Sequence, residues 1–179
     1  APAALDGVDL VVPSPGVAPS TPLLAEAVAR RIPIMSELEL AARRLERPMI
    51  AITGTNGKTT VTSLVGALLA EAGRRVFVGG NIGRPLIGFV DGPQAEEQAV
   101  VEVSSFQLQW TETFRPAVGA LLNVTCDHVD YHGSFAAYRE AKERLFANQG
   151  PEDLAILNAD DPGTPALAAR LRAEVRYFR

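Results

Sequence analysis

Thr53-Gly54-Thr55-Asn56-Gly57-Lys58-Thr59-Thr60 joins an apolar run, Met49–Thr53, to a segment of helical periodicity. A glycine-rich turn between a buried strand and a helix lets backbone N–H groups converge on phosphate oxygens, and the helix N-terminus adds a favourable dipole. Gly54, Thr55, Asn56, Gly57, Lys58, Thr59 and Thr60 are therefore the candidate binders of a nucleotide's phosphates. Lys58 would neutralise β/γ-phosphate charge and the Thr59 hydroxyl would coordinate Mg2+. The strict pattern wants glycine where this chain has Ile52, so the loop is a shortened variant. The competing reading is a plain strand–helix turn followed by a chance Lys-Thr.

Other polar groups fall at the ends of apolar runs. Glu102 closes Ala-Val-Val-Glu, where a carboxylate is expensive to bury unless it is paired or holds a metal; the alternative is an end-of-strand acid facing solvent. Asn123 ends Gly-Ala-Leu-Leu-Asn, and after Val124 comes Thr125-Cys126-Asp127-His128. Ligands of an open parallel sheet bind beyond the carboxyl ends of its strands, so three strands would deliver polar groups to one rim. Asp127, His128, Asp130 and His132 have metal-site composition, although such clusters are commonly solvated turns; His128, next to the strand end, is the better candidate. Gly79-Gly80-Asn81-Ile82-Gly83 is either a plain loop or a close approach of backbone to ligand, with the Asn81 amide bonding it. Lys142 lies four residues from both Tyr138 and Phe146, on the inward face of a helix from Ser134. A lysine there snorkels, pairs with an acid, or has a depressed pKa; a neutral amine could add CO2 and become a carbamate.

The elements that must position these groups alternate strand and helix. Strands are expected at Val8–Val12, Ile32–Met35, Met49–Thr53, Arg75–Val78, Ala99–Val103, Val118–Val124, Leu154–Leu157 and Val175–Phe178. Helices are expected from Thr21-Pro22, from Ser36 with Glu39 as a capping box, along the stripe Val61, Leu64, Val65, Leu68 and Leu69, and at 134–148 and 164–171. Apolar runs joined by helices predict an α/β fold: a mostly parallel sheet covered by helices, preceded by part of a small Rossmann-like piece. A boundary is expected near 45–48. With 179 residues, 47% hydrophobic and 21% charged, the chain suits a globular domain plus a piece of another. A net charge of −4 gives no footprint for nucleic acid or an anionic membrane surface. One cysteine, Cys126, and no spanning apolar run point to a cytoplasmic protein without membrane insertion.

Read in order, Thr-Gly-Thr-Asn-Gly-Lys-Thr-Thr (53–60), Gly-Asn-Ile-Gly (80–83), Glu-Val-Ser-Ser-Phe-Gln-Leu (102–108), Asn-Val-Thr-Cys-Asp-His-Val-Asp (123–130) and Tyr-Arg-Glu-Ala-Lys (138–142) resemble the motifs of the Mur ligase family of ATP-dependent amide-bond-forming enzymes. Ser-Pro-Gly (14–16) and Ser-Ser-Phe-Gln-Leu resemble the branch that joins D-glutamate to UDP-N-acetylmuramoyl-L-alanine in peptidoglycan synthesis. The diaminopimelate- or lysine-adding branch shares the Asp-His-x-Asp-Tyr-His-Gly stretch but usually has His where this chain has Phe106. Folylpolyglutamate synthases typically read Gly-Lys-Gly-Ser where this chain has Gly57-Lys58-Thr59-Thr60.

The resemblance implies catalytic roles for Lys58, Glu102, His128 and Lys142. Thr59 and Glu102 would hold one Mg2+, and His128 with a carbamylated Lys142 would support a second. Ser14, Gly16, Asn81, Ser104, Gln107 and His128 would face the UDP-sugar peptide. The substrate carboxylate would attack the γ-phosphate of ATP, and the amine of D-glutamate would then displace phosphate from the acyl phosphate. Residues 1–47 would be the end of the UDP-substrate domain and 48–179 an incomplete ATP-binding central domain, with the amino-acid-binding C-terminal domain absent. The expected assembly is monomeric, and residues 1–179 alone are expected to lack ligase activity. Two other classes compete: a P-loop switch or motor ATPase, and a non-catalytic nucleotide-binding module.

Overall fold

The computed structural model describes residues 2–179. Its centre is an all-parallel sheet of β1 (Met49–Thr53), β2 (Val76–Gly80), β3 (Gln98–Glu102), β4 (Val118–Leu121), β5 (Leu154–Asn158) and β6 (Glu174–Phe178). Their order is β2-β3-β1-β4-β5-β6. The chain leaves β1 for the β2 edge, returns through β3, and then continues on the other side of β1. The order thus reverses around β1, and the crevice beyond such a reversal is where open α/β sheets take ligands.

The helices are α1 (Pro22–Ala29), α2 (Glu37–Ala42), α3 (Lys58–Glu71), α4 (Leu86–Val90), α5 (Ser105–Leu108), α6 (Val129–His132), α7 (Phe135–Glu143) and α8 (Thr164–Ala168). On one face of the sheet, Met49, Ala51, Val101, Leu121 and Leu157 form a large core with side chains from α2, α4, α5, α7 and α8. The other face has a smaller core, Ile52, Val100, Ala120 and Leu122, under Val61, Val65 and Leu69 of α3. Fully apolar strands such as β1 follow from burial on both faces. No helix among the described residues is long and apolar enough to cross a membrane.

Several expectations need correction. Val8–Val12 and Ile32–Met35 are not strands; they meet only in a parallel bridge between Val11 and Ile34. Val11 N–H donates to Pro33 O, and Met35 N–H to Val11 O. Pro13 and Pro33 have no N–H with which to extend the ladder. The stripe on α3 is only half core, since Leu64 and Leu68 are 55% and 61% exposed. Helix and sheet meet through the small buried residues Thr62 and Gly66, which turns those two leucines outward. The helix from Ser134 runs as an α-helix only to Glu143 and tightens into a 3-10 turn at Arg144–Phe146.

The expected capping box at α2 is half formed. Ser36 Oγ accepts from Glu39 N–H, but the Glu39 carboxylate turns away to accept from the backbone N–H groups of Glu112, Thr113 and Phe114. Leu38 and Ala41 sit in the main core. The boundary expected at 45–48 therefore separates α2 in sequence from a core it shares in space.

Candidate active site

Three neighbouring strands end at one rim. β1 runs into the 54–57 loop and α3, with Gly57 at φ +82°, a left-handed turn that glycine adopts without strain. Thr55 N–H donates to Asn123 O and Asn56 N–H to Asn123 Oδ1, both at 2.9 Å. Those two donors are engaged, whereas the amides of Gly57 to Thr60, at the first turn of α3, have no partners within the helix and can meet a ligand. Lys58 Nζ folds back to donate to Thr55 O at 2.9 Å.

β3 delivers Glu102, which is buried and faces the loop. Its Oε2 accepts from Thr59 Oγ1 at 2.7 Å and its Oε1 from Asn81 Nδ2 at 2.8 Å. A carboxylate and a hydroxyl already in contact, at the mouth of an anion-binding turn, are the hard oxygen donors Mg2+ takes alongside phosphate and water. The structure brings the expected pair Thr59 and Glu102 together. Groups of three His, Cys, Asp or Glu able to cage a metal are absent among the described residues.

A second contact ties Asn81 to the same residue, its backbone N–H donating to the Glu102 backbone O at 2.9 Å. This needs glycine at position 80, where φ is +103° and an added Cβ would lie 2.4 Å from Glu102 O. Gly80→Ala is expected to destabilise the fold by about 2–4 kcal/mol, through strain and overpacking. A urea midpoint within error of the wild type would refute it.

Beyond β4, His128 takes the left-handed conformation at φ +49°, unusual for a residue with a side chain, and starts α6. Its ring lies 4.8 Å from Phe106, which also meets Tyr131 at 4.5 Å and stacks on His132 at 5.6 Å. His132 shares a 3.0 Å hydrogen bond with Ser105 Oγ. Burial, then the charges of His128 and Lys142, hold its pKa below the usual range, while Asp130 opposes them.

Lys142 is 2% exposed and neither snorkels nor pairs with an acid. Its Nζ donates to Gly54 O at 2.7 Å and lies 4.7 Å from the centre of the Tyr138 ring. Burial, then the Lys58 charge, pulls its pKa down to about 7, against a smaller opposing effect of Asp127. Tyr138, whose hydroxyl is 3.1 Å from Thr55 Oγ1, has His128 on its edge at 5.9 Å. His128 and Lys142 therefore flank one aromatic ring beneath the phosphate loop.

The remaining expected substrate contacts fare differently. Ser104 and Gln107 form a capping box on α5, with Ser104 Oγ accepting from Gln107 N–H and Gln107 Oε1 accepting from Ser104 N–H. Ser104 Oγ and Gln107 Oε1 serve that turn. Ser14 and Gly16 lie in an exposed turn closed by Val17 N–H to Ser14 O. Tyr131 Oη donates to Val17 O at 3.0 Å, which ties this turn to the rim. Sequence reasoning missed Tyr131, Thr55 as a structural node and the fork of Asn123, because each partner lies tens of residues away.

A family model described as the Mur ligase middle domain matches residues 52–178. The UDP-N-acetylmuramoylalanine–D-glutamate ligase of Syntrophus aciditrophicus (strain SB) is 63% identical over 98% of this chain and 39% of its own length. That of Pelotomaculum thermopropionicum is 50% identical over 97% of this chain and 38% of its own. The chain thus spans about two fifths of such relatives. Among solved structures, MurF ligase from Thermotoga maritima in complex with ADP superposes with a TM-score of 0.63 at 20% identity, over 94% of this chain and 46% of that one. The UDP-N-acetylmuramate:L-alanyl-gamma-D-glutamyl-meso-diaminopimelate ligase from Neisseria meningitides gives 0.64 at 18% identity, over 99% and 61%. At such identities the two structures speak to the fold alone. Parallel sheet, phosphate loop and family model agree on one assignment: the chain belongs to the Mur ligase family, with its middle domain at residues 52–178.

Proposed function

We propose that this chain is the ATP-binding core of a cytoplasmic ligase that joins D-glutamate to UDP-N-acetylmuramoyl-L-alanine. The observation that carries the reading is Lys142, buried on the phosphate-loop rim with its pKa near 7. A switch or motor ATPase has no use for such a lysine. The names of the relatives support the D-glutamate branch.

Mg2+, held by Thr59 and Glu102 with the phosphates, would supply charge neutralisation for phosphoryl transfer. The Gly57–Thr60 amides hold the phosphate oxygens, and Lys58 swings from Thr55 O to the β/γ-phosphates. Two anions meet when the substrate carboxylate attacks the γ-phosphorus and ADP leaves, so positioning and positive charge carry the step. The D-glutamate amine then attacks the acyl carbon, loses a proton and expels phosphate. Lys142 Nζ, when neutral, attacks CO2 and loses a proton to give a carbamate. That carboxylate, with His128, would hold a second Mg2+ and supply further positive charge to the transferred phosphoryl group. Residues 1–47, which carry Ser14 and Gly16, contribute the end of the UDP-substrate domain.

The test is ATP-dependent phosphate release by the full-length protein, given UDP-N-acetylmuramoyl-L-alanine and a panel of amino acids. Release only with D-glutamate is expected. Release without any amino acid, and independent of the UDP-sugar, would replace the ligase by a plain ATPase.

A further inference from the structure

Asn123 grips the phosphate loop from the neighbouring strand. Its Oδ1 accepts from Asn56 N–H at 2.9 Å, its Nδ2 donates to Asn56 O at 3.1 Å, and its backbone O accepts from Thr55 N–H at 2.9 Å. Two residues on, Thr125 N–H donates to Thr55 Oγ1 at 3.0 Å. The first half of the loop is thereby closed onto the strand end that leads to His128.

One of these bonds has a stereochemical consequence for the nucleotide. Asn56 O and Gly57 N–H belong to the same peptide unit, and in a trans peptide they point in opposite directions. There are no cis peptides in the described chain. With Asn56 O tied to Nδ2, Gly57 N–H must face away from Asn123. Gly57, at φ +82°, then carries the chain into α3, whose first-turn amides have no partners within the helix. A glycine-containing loop free to turn this peptide would otherwise lose affinity to the entropy of ordering it.

We infer that Asn123 is a positioning residue for phosphate binding: its carboxamide fork fixes the Asn56–Gly57 peptide plane so that Gly57 N–H faces the nucleotide's phosphates. Asn123 itself touches no phosphate. Its two side-chain bonds require both a donor and an acceptor, which only a carboxamide of this length supplies here. Aspartate retains the acceptor for Asn56 N–H but sets a carboxylate oxygen against Asn56 O, and so drives the plane the wrong way.

The inference rests on the phosphate-loop reading above, and direct nucleotide binding separates the two. Titration of the full-length protein with a fluorescent ADP analogue is expected to show Asn123→Ala and Asn123→Asp binding at least tenfold more weakly than wild type. Thermal unfolding and circular dichroism serve to establish that each variant is folded. In turnover, KM for ATP should rise while KM for the UDP-sugar and for the amino acid stay within about twofold, a split that a general loss of structure does not produce. Wild-type affinity in folded Asn123→Ala, or an equal rise in all three KM values, would overturn the role of Asn123. A wild-type protein that binds no nucleotide would overturn the phosphate-loop reading itself, and this inference with it.

Discussion

Lys142→Met is expected to stabilise the protein while abolishing ligase turnover. In the fold the Lys142 pKa falls from 10.5 to about 7, with burial the main cause and Lys58 the second. At about 1.4 kcal/mol per pH unit, holding that ammonium costs about 4–5 kcal/mol at or below neutral pH. Methionine fills the same space without charge, but it leaves Gly54 O without its donor, a loss of about 1–3 kcal/mol. The net expected gain is about 2 kcal/mol near pH 7. The sign follows from proton counting. Between about pH 7 and 10.5 the unfolded chain binds the proton that the folded lysine has released. Wild-type stability therefore rises with pH across that window, and the variant lacks the rise. Its advantage is greatest at and below pH 7 and disappears by about 10.5. Urea midpoints for both proteins, from pH 6 to about 10 in CO2-free buffer with chelator, test this. A variant less stable than wild type at pH 7 would mean that the lysine is not held as an isolated buried amine.

The contrast between what the chain announces and what it conceals follows from the range of each interaction. The strands of the sheet stand out because burial on both faces leaves them without polar alternation, as in Met49–Thr53 and Ala99–Val101. The phosphate loop is legible because its residues are contiguous and its flanks, a strand and a helix, bracket it. Helices α4, α5 and α6 are four or five residues long, too short for a 3.6-residue period to emerge. Lys142 could be placed on an inward face by its spacing from Tyr138. Only the fold shows that its partner is a loop carbonyl 88 residues away. Ser104 and Gln107 have the spacing of a capping box, and the structure forms that box on α5. Asn81 is correctly placed at the rim, but its amide serves Glu102, a pairing that depends on the register of β2 beside β3.

Glu39→Ala is expected to destabilise the protein by about 3–5 kcal/mol, the range for breaking a buried, fully bonded ionic group. The Glu39 side chain is 0% exposed and accepts from Glu112 N–H, Thr113 N–H, Phe114 N–H, Thr113 Oγ1 and Arg43 Nε. Truncation strands three backbone donors in the core, where an unsatisfied group costs about 1–3 kcal/mol. Glu39→Gln keeps the shape but turns an NH2 group toward those donors, so it should lose about 2 kcal/mol or more. Burial by itself would raise the Glu39 pKa. The hydrogen bonds of Thr113 and Arg43, followed by the backbone amides of Thr113 and Glu112, outweigh it and bring the pKa below 4.5. A carboxylate with a lowered folded pKa contributes stability above its unfolded value and loses it as pH falls through the folded one. The gap between wild type and Glu39→Gln should accordingly be full at pH 7 and shrink below 4.5. Equal urea midpoints at pH 7, or a gap that persists unchanged in acid, would refute the assignment. The consequence reaches the active site through geometry. Ser36 N–H donates to Trp110 O and Met35 N–H to Val11 O, so α2 is the footing from which the Ser14–Val17 turn reaches Tyr131. A loosened Glu39 should raise KM for the UDP-sugar before it affects ATP, because the phosphate loop is held independently by Asn123 and Thr125.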